Sequence, residues 1–193
     1  MLGLKLRTDP SWAVLVEGSI ADVLIDHAWC ELKAATNAIS IITQNPERTE
    51  LVAELSIIAQ EEMSHFQLVH DMLKARGVKL GRERKDEYVN ALLRFMKKDG
   101  SRLSALVDRL LFAAMIEARS CERFRVLSEH LKDPELVKFY RELMVSEANH
   151  FTIFLKHARK FESSIGVENR WKEWLKFEDS IIPNYGTSSA VHG

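Results

Sequence analysis

Four long stretches of this chain carry apolar residues at steps of three and four, the spacing of one helical face, and each stripe is broken near its middle by a glutamate. The first runs Ile20, Leu24, His27, Glu31, Ala35, Ala38, Ile42, and the second Leu51, Leu55, Ile58, Glu62, His65, Leu68, Met72. The third runs Leu106, Leu110, Ala113, Glu117, Cys121, Phe124, and the fourth Leu136, Tyr140, Leu143, Glu147, His150, Phe154, Ala158. An apolar stripe has to be buried against other helices, so these carboxylates are carried into a core. The fold must therefore be helical, and it must give four glutamates and two histidines something to bind.

The punctuation agrees. With 4 Pro and 8 Gly in 193 residues the chain lacks the turn residues of a β fold, and with 46% hydrophobic residues it can bury a core. A first helix is predicted over about 10–43, with Asp9 as cap and Pro10 in the first turn, ending at "QNPERT". A second starts near Pro46 and runs to about 76, where Gly77 stops it. Residues 78–100 read as a crossover with a short amphipathic piece, "EYVNALLRFM". A third helix is expected over 101–130, a fourth from Asp133 and Pro134 to about 161, and a tail over 168–193 with a short helix, "ENRWKEWLKF". The expectation is an all-α four-helix bundle, two helix hairpins joined by a crossover with a short C-terminal helix, forming one domain over 1–193.

The interruptions repeat. Glu62-x-x-His65 follows Glu31 by 31 residues, Glu147-x-x-His150 follows Glu117 by 30, and both are followed by Phe, in "SHF" and "NHF". Side chains three apart on a helix are separated by roughly 4.5 Å along the axis and share a face, so each Glu-x-x-His can hold one metal ion. Glu31 and Glu117 can cap the outer positions or bridge, and a bridging carboxylate can come from any of the pairs. Four carboxylates and two imidazoles around two divalent ions is the core of ferritin-like di-iron and di-manganese bundles. Two such ions also balance the charge of four carboxylates that could not be buried alone. Oxygen and imidazole donors without thiolate favour iron or manganese over zinc or copper(I), and do not separate the two.

A single Glu-x-x-His is common and carries little weight; two matched copies, each in phase with an upstream glutamate, outweigh a merely structural reading. Glu61 is turned about 100° from the stripe and Glu122 about 140° from Glu117, which sets them aside. His27, one turn before Glu31, reads as a supporting or core histidine, and Tyr140 as core packing or a supporting residue. His70, Asp71, His130, His157 and His192 read as surface or structural positions. Cys30 and Cys121 are too few and too far apart for a disulfide framework or zinc motif, and are expected reduced and buried.

The segments "ADVLIDHAWCELKAA", "EEMSHF", "MIEARSCERF" and "SEANHF" together resemble the bacterial tRNA 2-methylthio-isopentenyl-adenosine hydroxylases, a branch of the ferritin-like superfamily. The resemblance covers nearly the whole chain. It implies a non-haem di-iron monooxygenase that uses O2 to hydroxylate the isopentenyl group of a modified adenosine in tRNA, with Glu31, Glu62, His65, Glu117, Glu147 and His150 as the metal centre. Two electrons must come from outside; no dinucleotide glycine signature or cysteine cluster occurs in the sequence, so a separate reductase or ferredoxin is expected. The competing readings are a ferritin-like protein of another type, acting in iron oxidation and storage or in peroxide or manganese chemistry, and a metal-free helical interaction protein.

The electrostatics of RNA binding would have to be local, because the net charge is -1. Arg82, Arg84 and Lys85, then Lys97, Lys98 and Arg102, are the candidate RNA-binding residues, with Arg119, Arg123 and Arg125 a further basic group on the third helix. Uncharged apolar runs such as "AISIITQN" are too short to span a bilayer, and the amino terminus lacks a charged head with an apolar core, so a cytoplasmic protein without a membrane partner is expected.

Overall fold

A computed structural model of the chain describes residues 2–97, 100–185 and 190–192, and these contain eight α-helices and no strand. In chain order they are α1 (Ser11–Glu17), α2 (Ile20–Gln44), α3 (Thr49–Ala75), α4 (Glu87–Phe95), α5 (Arg102–His130), α6 (Pro134–Arg159), α7 (Glu162–Ile165) and α8 (Val167–Ile181). The described residues gather into two compact units, one of residues 18–85 with 190–191, the other of residues 2–17, 86–97, 100–185 and 192. None of the helices is long and apolar enough to cross a membrane.

The first unit is the hairpin of α2 and α3. A connection of only four residues forces the helices antiparallel, and Asn45 secures it by donating from its side chain to the Ile41 carbonyl at 2.9 Å. At the far end Gly77 takes φ +69°, and the Val78 N–H returns to the Leu73 carbonyl at 2.9 Å, a Schellman stop. Residues 82–85 are tacked to α2 by Arg84 on Asp22 at 2.5 Å and by Lys33 on Glu83 at 2.9 Å.

Two expectations need correction here. The helix expected over 10–43 is interrupted at Gly18 and Ser19, where Ser19 has φ -146° and ψ 36°; a glycine loses most backbone freedom in a helix and serine competes for backbone hydrogen bonds, so this pair is the weakest point of that segment. The stripe of α3 continues through Val69 and Leu73, both fully buried, whereas Leu68 is 48% exposed and Met72 only half-buried. Steps of 3.6 residues from Leu51 fall at 69 and 73, so the expected stripe had drifted one residue off phase.

The second unit is built on the hairpin of α5 and α6. Ser101 caps α5 by accepting from the Ser104 N–H at 3.1 Å, and Asp133 caps α6 by accepting from Glu135 and Leu136 at 2.9 and 3.4 Å, with Pro134 in the first turn. Helix α5 is buried on nearly every side, because α1, α4 and α8 pack over the faces that α6 leaves open. That covering buries charge. Asp108 accepts two bonds from Arg170, each 2.7 Å, and one from the Lys97 N–H at 2.7 Å. Arg119, fully buried, donates to Glu178 and to Glu122 at 3.0 Å, and Glu122 in turn accepts from the Thr8 N–H at 2.9 Å.

Arg119 and Arg123 therefore do not offer cations to a partner. Arg119 is locked between two carboxylates, and the Arg123 guanidinium lies 4.1 Å over the Trp12 ring. His192 is also inside, its Nε2 2.9 Å from Ser120 Oγ and its Nδ1 3.3 Å from Asp86. Cys121 is buried as expected, but Cys30 is only half-buried.

Removing one member of a buried charge network strands its partners. Arg119→Met is expected to lower stability by about 3–5 kcal/mol, seen as an earlier urea or thermal midpoint; an unchanged midpoint would show that Glu122 and Glu178 do not depend on it.

Candidate metal centre

In the first unit α2 supplies Glu31 and α3 supplies Glu62 and His65, all buried. One donor atom from each lies within 4.8 Å of the other two. His65 turns Nδ1 towards both acids, 3.7 Å from Glu31 Oε2 and 3.5 Å from Glu62 Oε2. On the same face of α2, His27 places Nε2 2.5 Å from Glu31 Oε1. Spacing within each helix accounts for half of this arrangement, since 27 and 31 are one turn apart and 62 and 65 a little less, and the packing of α2 on α3 brings the two halves together.

The electrostatics are those of anions held in a core. Burial is the largest influence on Glu31 and would raise its pKa, but hydrogen bonds with Glu62, His27 and His65 and the His27 charge outweigh it and hold the group down to about 2. His65 is likewise disfavoured as a cation by burial, yet Glu31 and Glu62 raise it to about 10. Without metal, the imidazolium takes the part that a cation bound between these groups would otherwise fill.

In the second unit α5 supplies Glu117 and α6 supplies Glu147 and His150, again all buried and again with donor atoms within 4.8 Å of one another. His150 points Nδ1 at Glu147 Oε2, 4.0 Å away, and has Ser146 Oγ 3.5 Å from its Nε2. Ser146 is a neighbour that stripe-counting overlooked, although it sits one turn before His150 in "SEANH". Cys121 is one turn beyond Glu117, but burial and the Glu147 charge push its thiol up to about 12, and its S–H donates to the Met144 carbonyl at 3.2 Å. It stays a protonated thiol and leaves the triad to oxygen and nitrogen donors.

The other predicted residues fall outside the triads. Tyr140 packs its ring on Phe124 and Phe139, with centroids 5.3 and 5.2 Å away, and is 1% exposed. Glu61 is exposed on α3. Arg82, Arg84 and Lys85 are exposed in the first unit, and Lys97 and Arg102 in the second. Lys98 lies outside the described residues.

A solved structure described as "Protein 43 with aldehyde deformylating oxygenase activity", from Synechococcus, matches this fold with a TM-score of 0.88 and 31% identity, over 98% of this chain and 95% of that one. The all-helical fold is thus ferritin-like, and the two buried Glu, Glu-x-x-His triads are donor sets of the kind that such folds use for metal ions. The family model for the tRNA-(ms2io6A)-hydroxylase MiaE matches residues 3–193. A tRNA 2-(methylsulfanyl)-N(6)-isopentenyladenosine(37) hydroxylase of Pseudomonas putida (strain KT2440) is 40% identical over 161 residues, 82% of this chain and 76% of the relative. A Salmonella typhimurium (strain LT2) protein of the same description is 31% identical over 140 residues, 72% of this chain and 50% of the relative. The chain belongs to the MiaE family.

Two outcomes follow from this geometry. Glu62→Ala or His65→Ala should abolish stable binding of two metal ions while exposed Glu61→Ala keeps it, as read by metal content after iron loading; equal losses would put the helix phase wrong. The raised His65 value makes its contribution to stability complete below pH 6.5 and lost as pH rises through about 10, while the lowered Glu31 value makes its contribution complete above pH 4.5 and lost as pH falls through about 2. Metal-free protein should therefore melt earlier at pH 9.5 than at pH 6, by a margin that His65→Gln reduces; the same margin in both proteins would contradict the pairing.

Proposed function

We propose that this chain is a di-iron, O2-dependent monooxygenase that hydroxylates the isopentenyl group of 2-methylthio-isopentenyl-adenosine in tRNA. The observation that carries the reading is membership of the MiaE family by a chain that buries two matched triads of two carboxylates and one imidazole. The whole chain acts as one functional domain, a reading supported by the family match over residues 3–193 and the repeated spacing of the two triads. Glu31, Glu62 and His65 hold one iron ion and Glu117, Glu147 and His150 the other, and each Fe(II) offsets the charge of two carboxylates. Bound there, the iron pair supplies the O2 activation that insertion into an allylic C–H bond requires.

The protein's own part is to present these donors dry. Each triad is buried among the apolar residues of its own hairpin, α2 and α3 or α5 and α6, which keeps bulk water from the oxidising chemistry. Electrons come from a separate reductase or ferredoxin, and the substrate places the enzyme in the cytoplasm. For RNA, the richest segment is residues 74–85, "KARGVKLGRERK", with six cations against one acid; Lys74, Lys79, Arg82 and Lys85 are exposed there. Arg84 serves Asp22, so its role is shared. Lys97 and Arg102 stand as further RNA contacts in the second unit, and Lys98 belongs to the same group in the sequence.

Iron-loaded protein, supplied with electrons, O2 and tRNA carrying the unhydroxylated nucleoside, should add one oxygen atom to that nucleoside by mass spectrometry. Turnover of Fe(II) or peroxide with no such gain would favour the alternative, a ferritin-like protein of iron or manganese oxidation chemistry. Neutralising Lys79, Arg82 and Lys85 together should weaken tRNA binding and flatten its salt dependence by about 0.7 in slope per lost phosphate contact, with iron content intact. Unchanged affinity and slope would remove this segment from the interface.

A further inference from the structure

Of the six donor residues His65 is the least buried, at 9% exposed against 0–4% for the other five, so it is the one that a molecule in solution reaches most directly. On the same helix Leu68 and Met72 follow it at steps of three and four, which sets them in line with His65 over about 10.5 Å of axis. Leu68 is 48% exposed and Met72 half-buried. A single leucine at a surface is ordinary. These two side chains, however, start beside a buried donor and end two residues before the cationic segment 74–85, so they form an apolar path between two chemically different places. Ile57, 55% exposed on α3, lies eight residues before His65, on the side away from that segment.

We infer that Leu68 and Met72 are specificity-determining residues: they receive the apolar arm of the modified adenosine, its isopentenyl and methylthio groups, while the segment 74–85 holds tRNA phosphates. The inference rests on the tRNA reading above. The order of the residues matches the chemistry of such a nucleotide, which is apolar at its alkyl end and anionic at its phosphate. Helix α3 runs from His65 past Leu68 and Met72 to a segment with six cations against one acid. Phosphate contacts are the same for modified and plain tRNA and carry no selectivity between them. The apolar contact does, because only the modified base has alkyl surface to withdraw from water together with that of Leu68 and Met72. The unbranched thioether of Met72 adapts to either substituent.

The test measures the affinity of iron-loaded protein, without an electron donor, for tRNA carrying the modified nucleoside and for the same tRNA with plain adenosine in its place. Wild-type protein should prefer the modified tRNA by about 10-fold or more. Leu68→Gln combined with Met72→Gln should cut the preference to about twofold or less, with iron content and affinity for plain tRNA held. Leu68→Gln alone, at an exposed position where substitution leaves the fold intact, should lose part of it. Ile57→Gln should keep it whole. A wild-type protein that binds the two tRNAs alike, a Leu68→Gln variant with the full preference, or variants that weaken both tRNAs equally would overturn the inference, and so would an equal loss in Ile57→Gln. If wild-type protein given electrons still adds oxygen to the nucleoside, any of these results removes the inference alone. Absence of both the oxygen gain and the preference would remove the tRNA reading with it.

Discussion

Four carboxylates sit in the middle of four apolar helix stripes, none more than 4% exposed, and everything else about the molecule has to accommodate them. A buried carboxylate without a countercharge is expensive by several kcal/mol, and a group of them more so. In the first unit the metal-free protein meets this with histidine: His65 is held as a cation by the acids it faces, and His27 anchors Glu31 from behind. Divalent ions are the stronger solution, because each brings two positive charges and takes its donors from the same side chains.

Helix α5 shows the same problem solved in two ways. On the side facing α6 its acid, Glu117, joins Glu147 and His150, a set of donors that could hold a metal ion. On the sides covered by α1 and α8 its acids are met by arginine: Asp108 by Arg170, and Glu122 by Arg119, which also holds Glu178. The contrast makes chemical sense. Guanidinium forks tie up carboxylate oxygens with fixed donors, whereas imidazole and carboxylate together leave a set of lone pairs directed at one point. The covering elements do a second job, since by enclosing α5 they hold the helix that carries Glu117 rigidly in place.

The burial and grouping of the candidate donors were legible in the sequence because helical spacing translates directly into side-chain direction. Glu31, Glu62, His65, Glu117, Glu147 and His150 were all identified from steps of three and four, and each is buried where those steps put it. Less legible was whatever depended on a second surface. Arg119 and Arg123 looked like a solvated basic face because nothing in the periodicity of α5 tells that α1 and α8 close over it; only a helix with two buried sides would reveal it, and 20 of its 29 residues are buried. The break at Gly18 and Ser19 was missed because the apolar pattern runs on across it, and the phase slip at Leu68 arose from counting in whole steps of three and four instead of 3.6. His27 was noticed for its spacing, but its bond to a single oxygen of Glu31 could come only from coordinates.

The central claim is that the two triads are an iron site, and anomalous diffraction at the iron edge tests it most directly. Crystals grown anaerobically with Fe(II) should show two anomalous peaks per chain, one in contact with Glu31, Glu62 and His65 and one with Glu117, Glu147 and His150. Iron bound elsewhere on the protein, or ordered triads with no anomalous signal at full iron loading, would contradict it.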